Sequence, residues 1–97
     1  MRSLQEIMNI LSQHKAEVMD RFKVKEISVF GSYIRGESAE GSDLDILVEF
    51  YEPIGLFRFM DLEEYLEQLL GVKVDLVSKK ALKPRIGARI LKEAIAI

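Results

Sequence analysis

The chain begins with a helical pattern. Ser3-Leu4-Gln5-Glu6 sets a Ser at an N-cap position with a Glu three residues later, a capping box. Behind it Leu4, Ile7, Met8, Leu11, Val18, Met19 and Phe22 recur at helical spacing, which predicts one amphipathic helix to about residue 22. Glu26-Ile27-Ser28-Val29-Phe30 is β-branched and aromatic and stops at Gly31, which predicts a strand. Residues 32–35 fit a single helical turn, and the small polar run 36–42 reads as a loop. From Asp43 the period changes to two. Leu44, Ile46, Val48 and Phe50 share one face of a strand over 43–50, and Asp43, Asp45, Leu47 and Glu49 share the other. Pro53 and Gly55 break the pattern. Leu56, Phe59, Met60, Leu62, Leu66, Leu69 and Leu70 then predict a helix closed by Gly71. A third strand is expected over 72–77, with Val72, Val74 and Leu76 on one face and Lys73, Asp75 and Val77 on the other. A basic linker over 78–85, interrupted by Pro84, leads to a closing helix whose Ile86, Ile90, Leu91 and Ala94 share a side and which runs to the end.

The predicted order is therefore α-β-β-α-β-α, with one turn of helix between the first two strands. Those strands are joined too tightly for a crossover and should be antiparallel, whereas the helix before the third strand permits a parallel pair. The fold class this implies is α/β (α+β): a small mixed sheet with flanking helices, in one domain over residues 1–97. No internal repeat or linker divides it.

Composition chiefly excludes. A hydrophobic content of 48% and a charged content of 31% are those of a soluble globular chain. The net charge of −2 and pI near 5.4 give no broad basic footprint, so nucleic acid is not the expected partner. With no cysteine, disulfides, thiolate catalysis and zinc fingers are out. No apolar run approaches about 18 residues and no leader pattern is seen, so a membrane association is not expected and the cytoplasm is the expected compartment.

The candidate chemistry lies between residues 31 and 45. Asp43 and Asp45 stand one residue apart, so on a strand they point the same way with α-carbons roughly 6.5–7 Å apart. Aspartate is depleted in strands, and two on one face repel unless something neutralises them. One hard cation held between them, or two shared, would do so, and Mg²⁺ is usually bound by one or two carboxylates together with substrate phosphates. An EF-hand does not fit, because Leu44, Ile46 and Leu47 stand where that loop needs polar ligands and glycine. Gly31 and Ser32, between a strand and a helical turn, offer backbone N–H groups, a hydroxyl and close approach for an anionic phosphate. Arg35 is a candidate for contact with the phosphates or a partner. Asp75 reads either as a surface acid paired with Lys73 or as a third ligand. His14, the only histidine, lies off the apolar stripe and is assigned no role, nor are Lys79, Lys80, Lys83 and Arg85. Tyr51, Phe57 and Tyr65 are able to stack on a base, with no pattern selecting one of them.

Gly31-Ser32, the ten residues 33–42, then Asp43-Leu44-Asp45, resembles the signature of the DNA polymerase β-type nucleotidyltransferase superfamily. Arg35-Gly36 and the Ser42 before Asp43, in so short a chain, are most similar to the minimal nucleotidyltransferases that accompany HEPN-domain proteins in prokaryotes. A later strand acid, Asp75 in Val72-Lys73-Val74-Asp75-Leu76-Val77, matches a third family feature, so the resemblance spans essentially the whole chain. It implies a polymerase β-like fold and transfer of AMP from ATP to a hydroxyl, with release of pyrophosphate. Gly31, Ser32 and Arg35 would bind phosphate; Asp43, Asp45 and Asp75 would hold two Mg²⁺, or Mn²⁺, and Asp75 would take the proton of the attacking hydroxyl. The expected acceptor is a HEPN-domain toxin encoded nearby, which makes this chain an antitoxin; a homodimer is compatible with the sequence. Two other readings stay open. One is an antitoxin that binds nucleotide but acts by contact alone. The other is a small-molecule nucleotidyltransferase of the antibiotic-modifying kind, needing a partner chain.

Overall fold

The computed structural model describes residues 2–97. Helix α1 runs over Leu4–Phe22, strand β1 over Val24–Phe30, α2 over Ser32–Arg35 and β2 over Leu44–Phe50. Helix α3 follows over Gly55–Leu70, then β3 over Val74–Ser78, α4 over Pro84–Glu93 and β4 over Ile95–Ala96. The capping box forms as expected. The Glu6 N–H donates to Ser3 Oγ and the Ser3 N–H donates to Glu6 Oε1, each at 3.1 Å.

The four strands are ordered β3-β2-β1-β4. The β1–β2 pair is antiparallel and the β2–β3 pair parallel, as the connection lengths predicted. One face carries the core. Leu44, Ile46 and Val48 of β2 are wholly buried there with Val29 of β1, under Ile7, Leu11 and Phe22 of α1 and Leu62, Leu66 and Leu70 of α3. The period-two reading of β2 thus holds for the core face, and Asp45 and Leu47 face the other way. Leu47 is buried on that second face, directly across from the buried Ser28. Tyr65, a candidate for base stacking, instead packs against Phe22 with ring centroids 5.7 Å apart, and Arg21 lies over both rings.

Several boundaries differ from expectation. Strand β2 begins at Leu44, so Asp43 ends the preceding loop rather than opening the strand. The first and third strands are Val24–Phe30 and Val74–Ser78, against 26–30 and 72–77. The linker holds a 3₁₀ turn over Lys79–Ala81, and Pro84 starts α4 instead of interrupting a loop, its fixed φ suiting the first turn of a helix. His14 is half-buried, with Nδ1 2.9 Å from the Ile10 carbonyl oxygen. The closing helix does not run to the end. It stops at Glu93, and Ile95–Ala96 pairs antiparallel with Ser28 and Val29 of β1. The Ile97 N–H donates to the Ile27 carbonyl at 3.0 Å, and Lys15 Nζ donates to the Ile97 carbonyl at 2.8 Å. The free edge of β1 offers backbone partners that outweigh the helical preference of Ala94 and Ala96.

Candidate active site

Topology collects the candidate residues. Because β1 and β2 are antiparallel, the end of β1 lies beside the start of β2; because β2 and β3 are parallel, the start of β3 lies there too. Gly31-Ser32, Asp43-Leu44-Asp45 and Asp75 therefore meet at one end of the sheet. The register is explicit: Phe30 pairs with Asp45, and Asp45 with Asp75, in one row across three strands. Asp45 and Asp75 are neighbours on adjacent strands, on the face opposite the core, at the roughly 4.8 Å strand spacing. Asp75 is exposed between the buried Val74 and Leu76.

Asp45 records the crowding. Its carboxyl is pushed up from 3.8 to about 6, first by burial and then by the negative charges of Asp75 and Asp43, while Arg35 pulls weakly the other way. Gly31 presses on the same side chain. It has φ +81° and ψ −153°, a conformation essentially reserved for glycine, and a Cβ there would lie 2.0 Å from Asp45 Oδ2. Directly after it α2 turns once, and Tyr33, 4% exposed in the core, pins that turn down.

One partner was not foreseen. Glu93, the last residue of α4, reaches into the same end of the sheet. Its Oε2 accepts the Gly31 N–H at 2.9 Å and its Oε1 accepts from Arg35 Nη1 at 2.6 Å. Arg35 also donates through Nε to Glu37 Oε1 at 3.0 Å. Arg35, then the Gly31 N–H, hold the Glu93 carboxyl below its usual range. The sequence held one hint: after Asp75 every charged residue is basic until Glu93. Asp45, Arg35, Glu93, Phe30, Arg89 and Ile90 line a cleft of about 280 Å³.

The acids suit a hard cation in kind, since Asp43, Asp45 and Asp75 offer only oxygen donors and Asp45 carries unrelieved repulsion. They are not closed on a point: among the described residues no three acidic or histidine side chains gather to hold one ion. Tyr51 and Phe57, the remaining stacking candidates, are 72% and 82% exposed and follow the far end of β2. An apolar groove of about 310 Å³ lined by Phe50, Ile54, Leu56 and Phe59 also lies at that far end, away from the carboxylates.

A nucleotidyltransferase domain family matches residues 11–97. The chain belongs to this family and is a nucleotidyltransferase. The nucleotidyltransferase is 54% identical to the protein adenylyltransferase MntA of Thermococcus cleftensis over 97 residues, covering 100% of this chain and 98% of the relative. Its fold is similar to a solved structure of a proposed minimal nucleotidyltransferase, with TM-score 0.78 and 40% identity, covering 94% of this chain and 95% of that one. It also shares the fold of a chain from the complex of a tri-AMPylated Shewanella oneidensis HEPN toxin with an MNT antitoxin. There the TM-score is 0.68 at 18% identity, over 93% of this chain and 70% of that one. No helix among the described residues of the nucleotidyltransferase is long and apolar enough to cross a membrane.

Proposed function

We propose that this nucleotidyltransferase transfers AMP from ATP to a hydroxyl on a HEPN-domain protein, silencing it as the antitoxin of a toxin–antitoxin pair. The observation that carries the chemistry is the Phe30–Asp45–Asp75 row, which sets two acids abreast next to the Gly31 backbone. The adenylyl group and the protein acceptor are supported by the likeness to MntA over the whole chain. The HEPN acceptor draws further on the MNT–HEPN complex that shares the fold.

In this reading the Gly31 N–H, the Ser32 hydroxyl and the Arg35 guanidinium hold the triphosphate, charge-assisted contacts that fix its β- and γ-phosphates. Asp43, Asp45 and Asp75 would hold two Mg²⁺ ions, or Mn²⁺. When bound, such a pair lowers the pKa of the acceptor hydroxyl and neutralises charge on the departing pyrophosphate. Asp75, exposed where an acceptor can reach it, takes the hydroxyl proton as the acceptor oxygen bonds to the α-phosphorus and the α–β phosphate bond breaks. Asp45 lies against Gly31, whose missing β-carbon leaves room for its carboxylate.

The test is to mix the purified chain with α-labelled ATP, Mg²⁺ and the HEPN-domain protein encoded beside it, with Asp43→Asn and Asp45→Asn run in parallel. Label should enter the partner with wild type and with neither variant. Tight complex formation by all three chains without label would replace catalysis by an antitoxin acting through contact. Neither label nor complex would direct the search to small-molecule acceptors.

A further inference from the structure

Two of the three donors assigned to the triphosphate are engaged. The Gly31 N–H donates to Glu93 Oε2 at 2.9 Å and Arg35 Nη1 donates to Glu93 Oε1 at 2.6 Å. One carboxylate thus spans a backbone N–H and a guanidinium with two anionic oxygens, the pattern in which such donors grip a phosphate. A phosphate oxygen accepting the Gly31 N–H would need the space that Oε2 fills. The position of Glu93 is also odd for its own helix. It closes α4, where the helix dipole favours cations, and Lys92 precedes it. Helix stability does not account for an acid there, whereas the contacts with Gly31 and Arg35 do.

We propose that Glu93 is a resident competitor for the phosphate cradle: its carboxylate occupies the Gly31 N–H and Arg35 in the nucleotide-free protein, and the triphosphate of the nucleotide displaces it. The proposal rests on the reading of Gly31 and Arg35 as phosphate ligands. Displacement requires little movement. Glu93 is the terminal residue of its helix, and its side chain is already 23% exposed, so a rotamer change releases both donors while Ile95 and Ala96 keep their pairing with β1. The device sets a threshold. A triphosphate with several oxygens and charges overcomes the resident carboxylate, and a singly charged anion does not, so the cradle discriminates against small anions. It also keeps Arg35 extended toward the site, ready for the incoming phosphates.

The experiment is calorimetric titration of inorganic tripolyphosphate, and of ATP with Mg²⁺, into the full chain as wild type, Glu93→Gln, Glu93→Ala, Arg35→Gln and the Glu93→Gln/Arg35→Gln double variant. Removing the competing charge should tighten binding on the order of tenfold, the scale of one charge-assisted hydrogen bond. Arg35→Gln should cost more affinity in the Glu93→Gln background than in wild type, because in wild type Arg35 gives up its Glu93 contact on binding, which offsets part of what it gains from the phosphate. Binding by wild type that is equal or weaker in both Glu93 variants would overturn the competitor and leave Glu93 as a positioning residue for Arg35, with the cradle intact. Failure of every chain to bind would overturn the cradle and the competitor together. A measurement on wild type needs no variant. Carboxyl-carbon NMR of Glu93 should move toward the position of a solvated glutamate as tripolyphosphate is added. A shift of the Gly31 amide with Glu93 unmoved would overturn the proposal.

Discussion

Gly31 and Asp45 constrain each other. The glycine sits at a φ, ψ pair that costs other residues about 1–3 kcal/mol, and its missing β-carbon is the space that Asp45 Oδ2 uses. Gly31→Ala should therefore destabilise the fold by at least that backbone cost. The loss should be smaller in an Asp45→Ala background, where the nearest clashing atoms are gone; urea melts of the four chains check this. Asp45 itself carries a stability cost that depends on pH. Its folded-state pKa of about 6 lies above the ordinary 3.8, so its contribution to stability is present below about pH 3.8 and is lost as pH rises through about 6. Without metal, Asp45→Asn should melt increasingly above wild type as pH is raised from 4 to 7, and the gap should level off beyond. The same variant should lower AMP transfer by about 10²-fold or more, the scale for losing one electrostatic group at a transition state.

At the scale of elements, the outer edge of β3 is protected by its own neighbouring helix. The Val74 N–H donates to Glu67 Oε2 and the Leu76 N–H to Glu63 Oε2, each at 2.9 Å. Glu63 and Glu67 are one helical turn apart on α3, so two carboxylates meet the alternate N–H groups that β2 leaves free. An edge strand with open N–H groups is a template for another strand, and these side chains fill it. Glu63→Ala/Glu67→Ala should lose about 1 kcal/mol for each orphaned N–H and should self-associate. Glu63→Gln/Glu67→Gln, whose amide oxygens still accept, should stay closer to wild type; light scattering with thermal melts separates the two. The opposite edge of the sheet is closed differently, by a two-residue strand that follows α4 and so fixes where Glu93 stands.

For the whole molecule, a cation held by the acids at one end of the sheet would couple ligand binding to folding. A cation bound there relieves repulsion that the folded state alone suffers, so it binds the native chain in preference to the unfolded one. Mg²⁺ or Mn²⁺ at about a hundredfold excess over its Kd should stabilise wild type by about 2.7 kcal/mol, several degrees in Tm for a domain of this size. Asp45→Asn should show little of that gain in the same melts. A gain of equal size in the variant would remove Asp45 from the metal site.

Hydrophobic period and turn residues determined much of this protein on their own. The mixed order of the first three strands, the core face of β2 and the outward parity of Asp75 follow from side-chain alternation and connection length, which are local. So does the gathering of Gly31, Asp43, Asp45 and Asp75, because an antiparallel pair followed by a parallel one has a single end where those positions meet. Tertiary structure decided the rest. The Asp45–Asp75 register depends on how two strands slide past each other, and the strand nature of Ile95–Ala96 depends on a distant open edge, Ser28 and Val29. Glu93 belongs with these. As a residue it is one polar position near the end of a helix, and only the pairing of β4 with β1 just after it brings its carboxylate to Gly31 and Arg35.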